Sequence, residues 1–220
     1  MAEDGASDDG ATATPPKRIV ADGYDTVAER YLSCSAAIPD ASRTRYTQAL
    51  LDGLPPGAPV LELGCGAGIP TTRTLAAKFA VTGVDISARQ IELARAAIPN
   101  ATFIHADMTA LDFPPASFVG VCAFFSLIHV PRAEQPPLLA RIAAWLRPGG
   151  LFVATMGLLD TEGDIEDNWL GAPMYFSHYD ATTNRALVTQ AGLTLISANE
   201  ETQEEDGQPV TFLWVVARKE

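Results

Sequence analysis

Apolar residues fall into two kinds of segment along this chain, and the switch between them predicts its architecture. Near the start, Tyr24, Val27, Ala28, Tyr31 and Leu32 recur at helical spacing, and a second helical stretch runs from about Ser42 to Leu51. The turn residues Asp52-Gly53 and Pro55-Pro56-Gly57 close it. From Val60 onward, short and nearly continuous apolar runs alternate with longer amphipathic segments. The runs are Val60 to Leu63, Ala80 to Val84, Thr102 to His105, Phe118 to Phe125 and Leu151 to Met156. Helices are predicted near Thr71 to Phe79, Ala88 to Ala97 and Gln135 to Leu146, while Thr109 to Pro115 has room for little more than one helical turn. Strands without polar alternation are covered on both faces, and strand–helix alternation implies right-handed crossovers and a parallel sheet. The predicted fold class is α/β, doubly wound.

Arg147-Pro148-Gly149-Gly150 closes the last clear crossover helix and opens the fifth strand, with Pro and Gly at stopping positions. Beyond it, Gly157 to Asp180 carries several acids and the aromatics Trp169, Tyr175, Phe176 and Tyr179 without a tidy period, and reads as an insertion above the strand ends. A helix from about Ala181 to Ala191 precedes two strand-like runs, Leu193 to Ser197 and Val210 to Ala217, joined by an acidic loop from Glu200 to Gly207. Their short separation favours an antiparallel hairpin at the sheet edge.

Composition narrows the classes of partner. The 220 residues carry 15 Lys+Arg against 27 Asp+Glu, a formal charge of −12, so phosphate backbones and anionic lipid are repelled and nucleic acid is not an expected partner. The first residues, rich in Ala, Asp, Gly, Thr and Pro, are expected to form a disordered acidic tail over 1–18. They contain neither the basic nor the apolar region of a secretory signal. Residues 19–220 then form one domain, with N-terminal helices at about 22–52 and the aromatic insertion at about 157–180. Cys34, Cys65 and Cys122 are widely spaced and odd in number, which fits a reducing compartment better than a disulfide framework or a zinc site. No apolar run approaches the roughly 20 residues that span a bilayer, and the expectation is a soluble cytoplasmic protein, monomeric or homodimeric.

The strongest local signal is Val60-Leu61-Glu62-Leu63-Gly64-Cys65-Gly66-Ala67-Gly68, a strand running directly into alternating glycines and then a helix. Glycines let backbone approach a ligand at contact distance, and free N–H groups at the helix start favour an anion. A tight strand–helix turn is the plainer alternative. Asp85 ends the second strand, about 20 residues on, where a carboxylate meets the two hydroxyls of an adenosine ribose. Capping of the next helix, by Asp85 or Ser87, is the other role open to this segment. Asp107, in His105-Ala106-Asp107-Met108, follows the third strand, where it can take an exocyclic amine; Met108 offers a backbone N–H and an apolar face. A surface acid in a turn is its alternative.

The series Leu61 to Gly68, Gly83-Val84-Asp85-Ile86-Ser87, His105-Ala106-Asp107-Met108 and Leu146-Arg147-Pro148-Gly149-Gly150 resembles the class I S-adenosylmethionine-dependent methyltransferases from about Tyr24 to the end. The resemblance implies a seven-stranded sheet of order 3-2-1-4-5-7-6 with strand 7 antiparallel, and S-adenosylmethionine as cofactor. It implies that Gly64, Cys65, Gly66 and Gly68 form the loop holding the methionine moiety, with Glu62 in support. By the same resemblance Asp85 and Ile86 lie at the ribose, Asp107 and Met108 at the adenine, and Phe124 beside the cofactor. Tyr24 and Tyr31 match the first-helix segment that closes over it.

Methyl transfer from a sulfonium requires chiefly an aligned nucleophile and exclusion of water, with a base adding to the rate where the acceptor carries a proton. His129, following the fourth strand in Ser126-Leu127-Ile128-His129-Val130-Pro131, is the leading candidate base; a packed histidine that orients the loop is its alternative. His178, in the aromatic insertion, is the second candidate, against a surface loop histidine. His105, on a strand, is expected to pack. Trp169, Met174, Tyr175, Phe176 and Tyr179, with Phe124 and Phe125 below, could line an apolar acceptor pocket or simply fill core. The acids Asp160, Glu162, Asp164, Glu166 and Asp167 read as a solvated loop, and no metal is expected. The expected activity is methylation of an O or N nucleophile on a small molecule, a secondary metabolite or quinone-like acceptor. An NAD(P)-dependent oxidoreductase and a methyltransferase-like protein using the cofactor non-catalytically are the rivals.

Overall fold

The computed structural model describes residues 14–37, 41–205 and 208–220. In chain order the elements are α1 (Pro16–Ala37), α2 (Ala41–Gly53), β1 (Pro59–Leu63), α3 (Thr71–Ala76), β2 (Ala80–Asp85), α4 (Ala88–Ala97), β3 (Thr102–His105), β4 (Phe118–Ala123) and α5 (Gln135–Trp145). They continue with β5 (Leu146–Met156), β6 (Thr161–Trp169), β7 (Ala172–His178), α6 (Ala181–Gln190), β8 (Leu193–Glu205) and β9 (Gln208–Lys219). Single turns of 3-10 helix occur at Met108–Ala110, Leu127–His129 and Arg132–Glu134.

Seven strands form one sheet in the order β3-β2-β1-β4-β5-β9-β8. Pairings from β3 through β5 are parallel, and β9 runs antiparallel to both β5 and β8. Because β6 and β7 pair only with each other, β8 and β9 occupy the sixth and seventh places of the main sheet. The order is therefore the expected 3-2-1-4-5-7-6. Buried Leu61, Leu63, Val121 and Phe152 face one side of this sheet with α5 and α6, and Val60, Val81, Cys122 and Val153 face the other with α2, α3 and α4. Two cores thus flank one sheet, which is why its strands read as continuous apolar runs.

Three boundaries depart from the sequence expectation. Helix α1 begins at Pro16, not near residue 22, so Arg18 and Lys17 belong to the helix rather than to the tail; Pro at the first helical position costs no hydrogen bond. The rest of the expected tail, up to residue 13, lies outside the described residues. The aromatic insertion is a two-stranded antiparallel hairpin, turning at Leu170-Gly171 where both residues take positive φ (49° and 101°). The expected acidic loop is mostly strand, since β8 and β9 stay paired out to Glu205 and Gln208.

The hairpin and α1 together build a cover over the carboxyl ends of the sheet. Val20 of α1 packs with Met174 and Tyr175 of β7 in a small third core. Gly23 lets the helix touch the strand, because a Cβ there would sit 2.6 Å from the Pro173 carbonyl oxygen. Polar contacts fix the helix further along. Asp25 accepts from the Ser87 hydroxyl (2.6 Å) and the Arg89 N–H (3.0 Å) at the start of α4, and Arg30 donates to the Leu170 carbonyl (3.1 Å) in the hairpin turn.

Candidate active site

A cavity of about 650 Å³, counting its open mouth, lies between this cover and the strand ends. That volume suits a nucleoside-sized ligand with room for part of a second molecule. Its floor is Gly64 and Gly66 after β1, Val84, Asp85 and Ile86 at the end of β2, Ala106 to Met108 after β3, and Phe124 to Ser126 after β4. Its roof is Lys17, Val20, Tyr24 and Tyr31 of α1, with His129 and Val130 at one side. A second chamber of about 390 Å³ shares Tyr31, Gly64, Gly66 and Phe124, and continues to Arg43, Glu62, Cys65 and Thr71.

The glycine loop is shaped by close approach. Gly64 has φ +74°, and a Cβ there would lie 2.2 Å from the Ser126 Cβ, so the loop can pass the end of β4 only without a side chain. Ser126 Oγ in turn donates to the Leu63 carbonyl at 2.7 Å. Gly68 differs from the expectation: it lines neither chamber, and its bare Cα packs against Ile98 and Thr72. Its part is to fold the loop back onto the helices.

Asp85 is buried, and its carboxylate accepts from the Gly66 N–H (2.8 Å) and the Ser87 N–H (2.9 Å). The helix cap itself is Ser87, whose Oγ accepts from the Gln90 N–H. A carboxylate offers about four lone-pair directions, so Asp85 retains acceptor capacity at the cavity wall after tying the loop to β2. Burial pushes its pKa up against those two donors. Asp107 accepts from the Thr109 N–H (2.8 Å), the Thr109 hydroxyl and the Lys17 ammonium (2.7 Å). Burial raises its pKa, but the Lys17 and Thr109 donors outweigh that and hold it below the usual carboxylate range. Lys17 was not legible as a site residue from the sequence.

Glu62 sits beneath the second chamber, 4% exposed, and accepts from the Thr72 hydroxyl at 2.5 Å. Burial drives its pKa up to about 7, opposed by that hydroxyl and by the positive charge of Arg43. Thr71 Oγ1, in the same chamber, is buried without a hydrogen-bond partner among the described residues. A buried orphan hydroxyl beside an acid and an arginine is suited to the charged end of an amino acid.

His129 lies at the side of the first cavity. Its Nδ1 is 2.8 Å from the Tyr175 carbonyl, and its Nε2 is 2.9 Å from the Tyr24 hydroxyl. A carbonyl only accepts, so Nδ1 carries the proton and Nε2 accepts from Tyr24. Burial lowers the His129 pKa to about 4, more than the Tyr175 carbonyl restores, and the ring is neutral at pH 7. Tyr24, Trp169 and Phe176 surround it at ring-centroid separations of 4.9 to 6.4 Å, and Tyr31 packs in turn against Tyr24 and Trp169 at 5.4 and 5.7 Å. His178 does not join them. Its ring lies against Gly157, its Nδ1 bonds the Leu159 carbonyl at 2.6 Å, and it lines neither chamber. His178, the last residue of β7, holds the base of the hairpin to the segment that leaves β5. Met174 and Tyr175 pack under α1, so they form core, while Trp169 and Phe176 edge the aromatic roof. His105 holds the Ile86 carbonyl at 3.0 Å.

The donor set fits an adenosyl sulfonium bearing an amino acid. Bare loop backbone and an orphan hydroxyl suit an amino-acid end, two carboxylates with spare lone pairs suit a sugar and a base, and Ile86, Met108 and Phe124 offer apolar surface. No cluster of three or more metal-ligating side chains occurs among the described residues.

A sheet of this order with the ligand cavity at its switch point defines a Rossmann-like methyltransferase fold. Among solved structures it resembles the 4+2 cyclase SpnF (TM-score 0.71, 18% identity, covering 94% of this chain and 97% of that one). It likewise resembles magnesium protoporphyrin IX methyltransferase from Synechocystis PCC 6803 with bound S-adenosylmethionine (TM-score 0.69, 16% identity, 95% and 99% covered). The family model for the methyltransferase domain matches residues 60–150. Curated relatives include 27-O-demethylrifamycin SV methyltransferase of Amycolatopsis mediterranei (strain S699), 32% identical over 62% of this chain and 57% of the relative. Another is 2-methyl-6-phytyl-1,4-hydroquinone methyltransferase of Synechocystis sp. (strain ATCC 27184 / PCC 6803 / Kazusa), 32% identical over 76% and 52%. Residues 60–150 therefore form a methyltransferase domain of the class I S-adenosylmethionine-dependent kind. The chain spans little more than half the length of these two curated relatives.

Proposed function

We propose that the protein binds S-adenosylmethionine in the two chambers and methylates a hydroxyl of a small apolar molecule, an aromatic or quinol-like acceptor, in the cytoplasm. When bound, the cofactor supplies a methyl group already activated by the sulfonium charge. Glu62, Arg43 and Thr71 hold its amino-acid end, Asp85 its ribose, and Asp107 with Met108 its adenine. Tyr24, Tyr31 and the hairpin exclude water.

The neutral Tyr24–His129 pair carries the choice of a hydroxyl over an amine. A base whose conjugate acid has a pKa of about 4 cannot deprotonate a phenol or an ammonium ion in the ground state. It can accept the proton of a hydroxyl whose oxygen becomes strongly acidic as the new bond to carbon forms. In this reading the acceptor's O–H takes the place of Tyr24's at His129 Nε2, and Nδ1–H stays on the Tyr175 carbonyl. By its name, 27-O-demethylrifamycin SV methyltransferase acts on an O-demethyl compound, which supports a hydroxyl acceptor, and the hydroquinone methyltransferase supports a quinol-like compound without naming the atom methylated.

Calorimetry with S-adenosylmethionine and NADH, followed by S-adenosylhomocysteine formation over a panel of phenols, quinols, alcohols and amines, tests the proposal. Binding of S-adenosylmethionine and turnover with a hydroxyl acceptor is the expected result. NADH binding alone would indicate an oxidoreductase. Tight S-adenosylmethionine binding with no turnover on any acceptor would indicate a non-catalytic use of the cofactor.

A further inference from the structure

We infer that Lys17 is a positioning residue for the cofactor, clasping the first turn of α1 over the adenine end of the cavity and so governing how fast the bound nucleoside leaves. The inference rests on the adenosyl reading of Asp107 given above. The Lys17 ammonium has three N–H donors, and all three are engaged: Asp107 Oδ2 at 2.7 Å, Thr109 Oγ1 at 2.5 Å and Glu134 Oε2 at 2.5 Å. Asp107 and Thr109 follow β3, whereas Glu134 precedes α5, so one side chain joins the lid helix to two separate segments of the sheet's rim. Burial lowers the Lys17 pKa, but the two carboxylates outweigh it and keep the amine protonated.

Asp107 can hold the clasp and a ligand together. Its Oδ1 takes the Thr109 N–H and its Oδ2 takes Lys17, while the single proton of the Thr109 hydroxyl, 2.9 and 2.8 Å from the two oxygens, fills at most one more position, so of about four lone-pair directions one remains for a further donor such as an exocyclic amine. Lys17 therefore fixes the carboxylate's rotamer and its ionised state without filling its last acceptor position. Val20, one helical turn on, lines the same cavity, so a ligand inside has the first turns of α1 as its outer wall. Departure at that end requires this turn to lift and Lys17 to release both carboxylates. These pairs are partly exposed, with side-chain exposure of 29% for Lys17, 26% for Asp107 and 41% for Glu134, so salt weakens them.

The test is the dissociation rate of S-adenosylhomocysteine, followed by stopped-flow tryptophan fluorescence from about 0.05 to about 0.5 M salt. Lys17→Met and Glu134→Gln should speed release about three- to tenfold at low salt, the range for losing one or two partly exposed pairs. Wild-type release should quicken with salt, whereas Lys17→Met should show almost no salt dependence, and Lys17→Arg should restore it. A merely structural lysine would lower the melting temperature without changing the salt slope. Glu134 lines neither chamber, so Glu134→Gln keeps the test decisive if Lys17→Met folds poorly. Wild-type rate and slope in both Lys17→Met and Glu134→Gln would overturn the clasp. Unchanged affinity in Asp107→Asn would instead overturn the adenosyl reading on which it rests.

Discussion

Replacing Glu62 by Gln should stabilise the protein at alkaline pH and leave it nearly unchanged in acid. The carboxyl is buried beneath the loop, and burial lifts its pKa from the ordinary 4.5 to about 7 in the folded chain. A raised carboxyl pKa means the native state prefers the neutral form. Below pH 4.5 both states are protonated and stability is complete; between 4.5 and 7 the unfolded chain ionises first and stability falls; above 7 the loss levels off. At about 1.36 kcal/mol for each unit of displacement, the decline between pH 5 and pH 8 comes to about 2.5 kcal/mol. Gln stays neutral throughout, and its carbonyl can still accept the Thr72 hydroxyl bond. The relevant measurement is urea unfolding of both proteins at several pH values, because the difference between the two curves cancels the titration of every other group. The gap should widen in favour of the variant as pH rises. A gap independent of pH, or one that grows in favour of wild type, would refute a buried carboxyl ionising near neutrality.

Removing Asp85 by Asp85→Ala should weaken S-adenosylmethionine binding by about 1.5–3 kcal/mol in calorimetry, the range for hydrogen bonds to a charged group. It should also lower thermal stability, because the Gly66 and Ser87 N–H groups lose their acceptor. Gly64→Ala should cost about 2 kcal/mol or more in unfolding experiments, since it combines a φ of +74° with a Cβ driven into Ser126. His129→Ala should reduce turnover by about 10²-fold or more while changing S-adenosylmethionine affinity little, whereas Tyr24→Phe should leave a base in place and reduce turnover less. A fall in affinity equal to the fall in turnover would assign both residues to cofactor binding.

What the sequence made legible follows from where information is local. The cofactor half of the cavity comes from strand ends and the loops directly after them. Gly64, Gly66, Asp85, Ile86, Asp107, Met108 and Phe124 each stand at the end of an apolar run or a few residues beyond it, so pattern alone brings them to one rim. The roof obeys no such rule. Strand β6 is exposed along almost its whole length and so shows no alternation of apolar and polar residues; it is a strand because β7, held under α1 by Met174 and Tyr175, pairs with it. The start of α1 lies against a polar, proline-bearing segment, which hid Lys17, and Tyr24 meets His129 across 105 residues. The placement of His178 was hidden for the same reason: only the hairpin's register, unreadable without its partner strand, sets it against Gly157 and outside the lining of both chambers. The consequence is chemical as well as topological. On the proposed function, the parts that would grip a nucleoside are encoded in short stretches that many acceptor chemistries can share, and the parts that would meet the acceptor are long-range contacts between α1, the hairpin and the turn after β4. Discrimination among acceptors on this fold should therefore respond to substitutions in Tyr24, Trp169 and Phe176 more than to any change in the glycine loop.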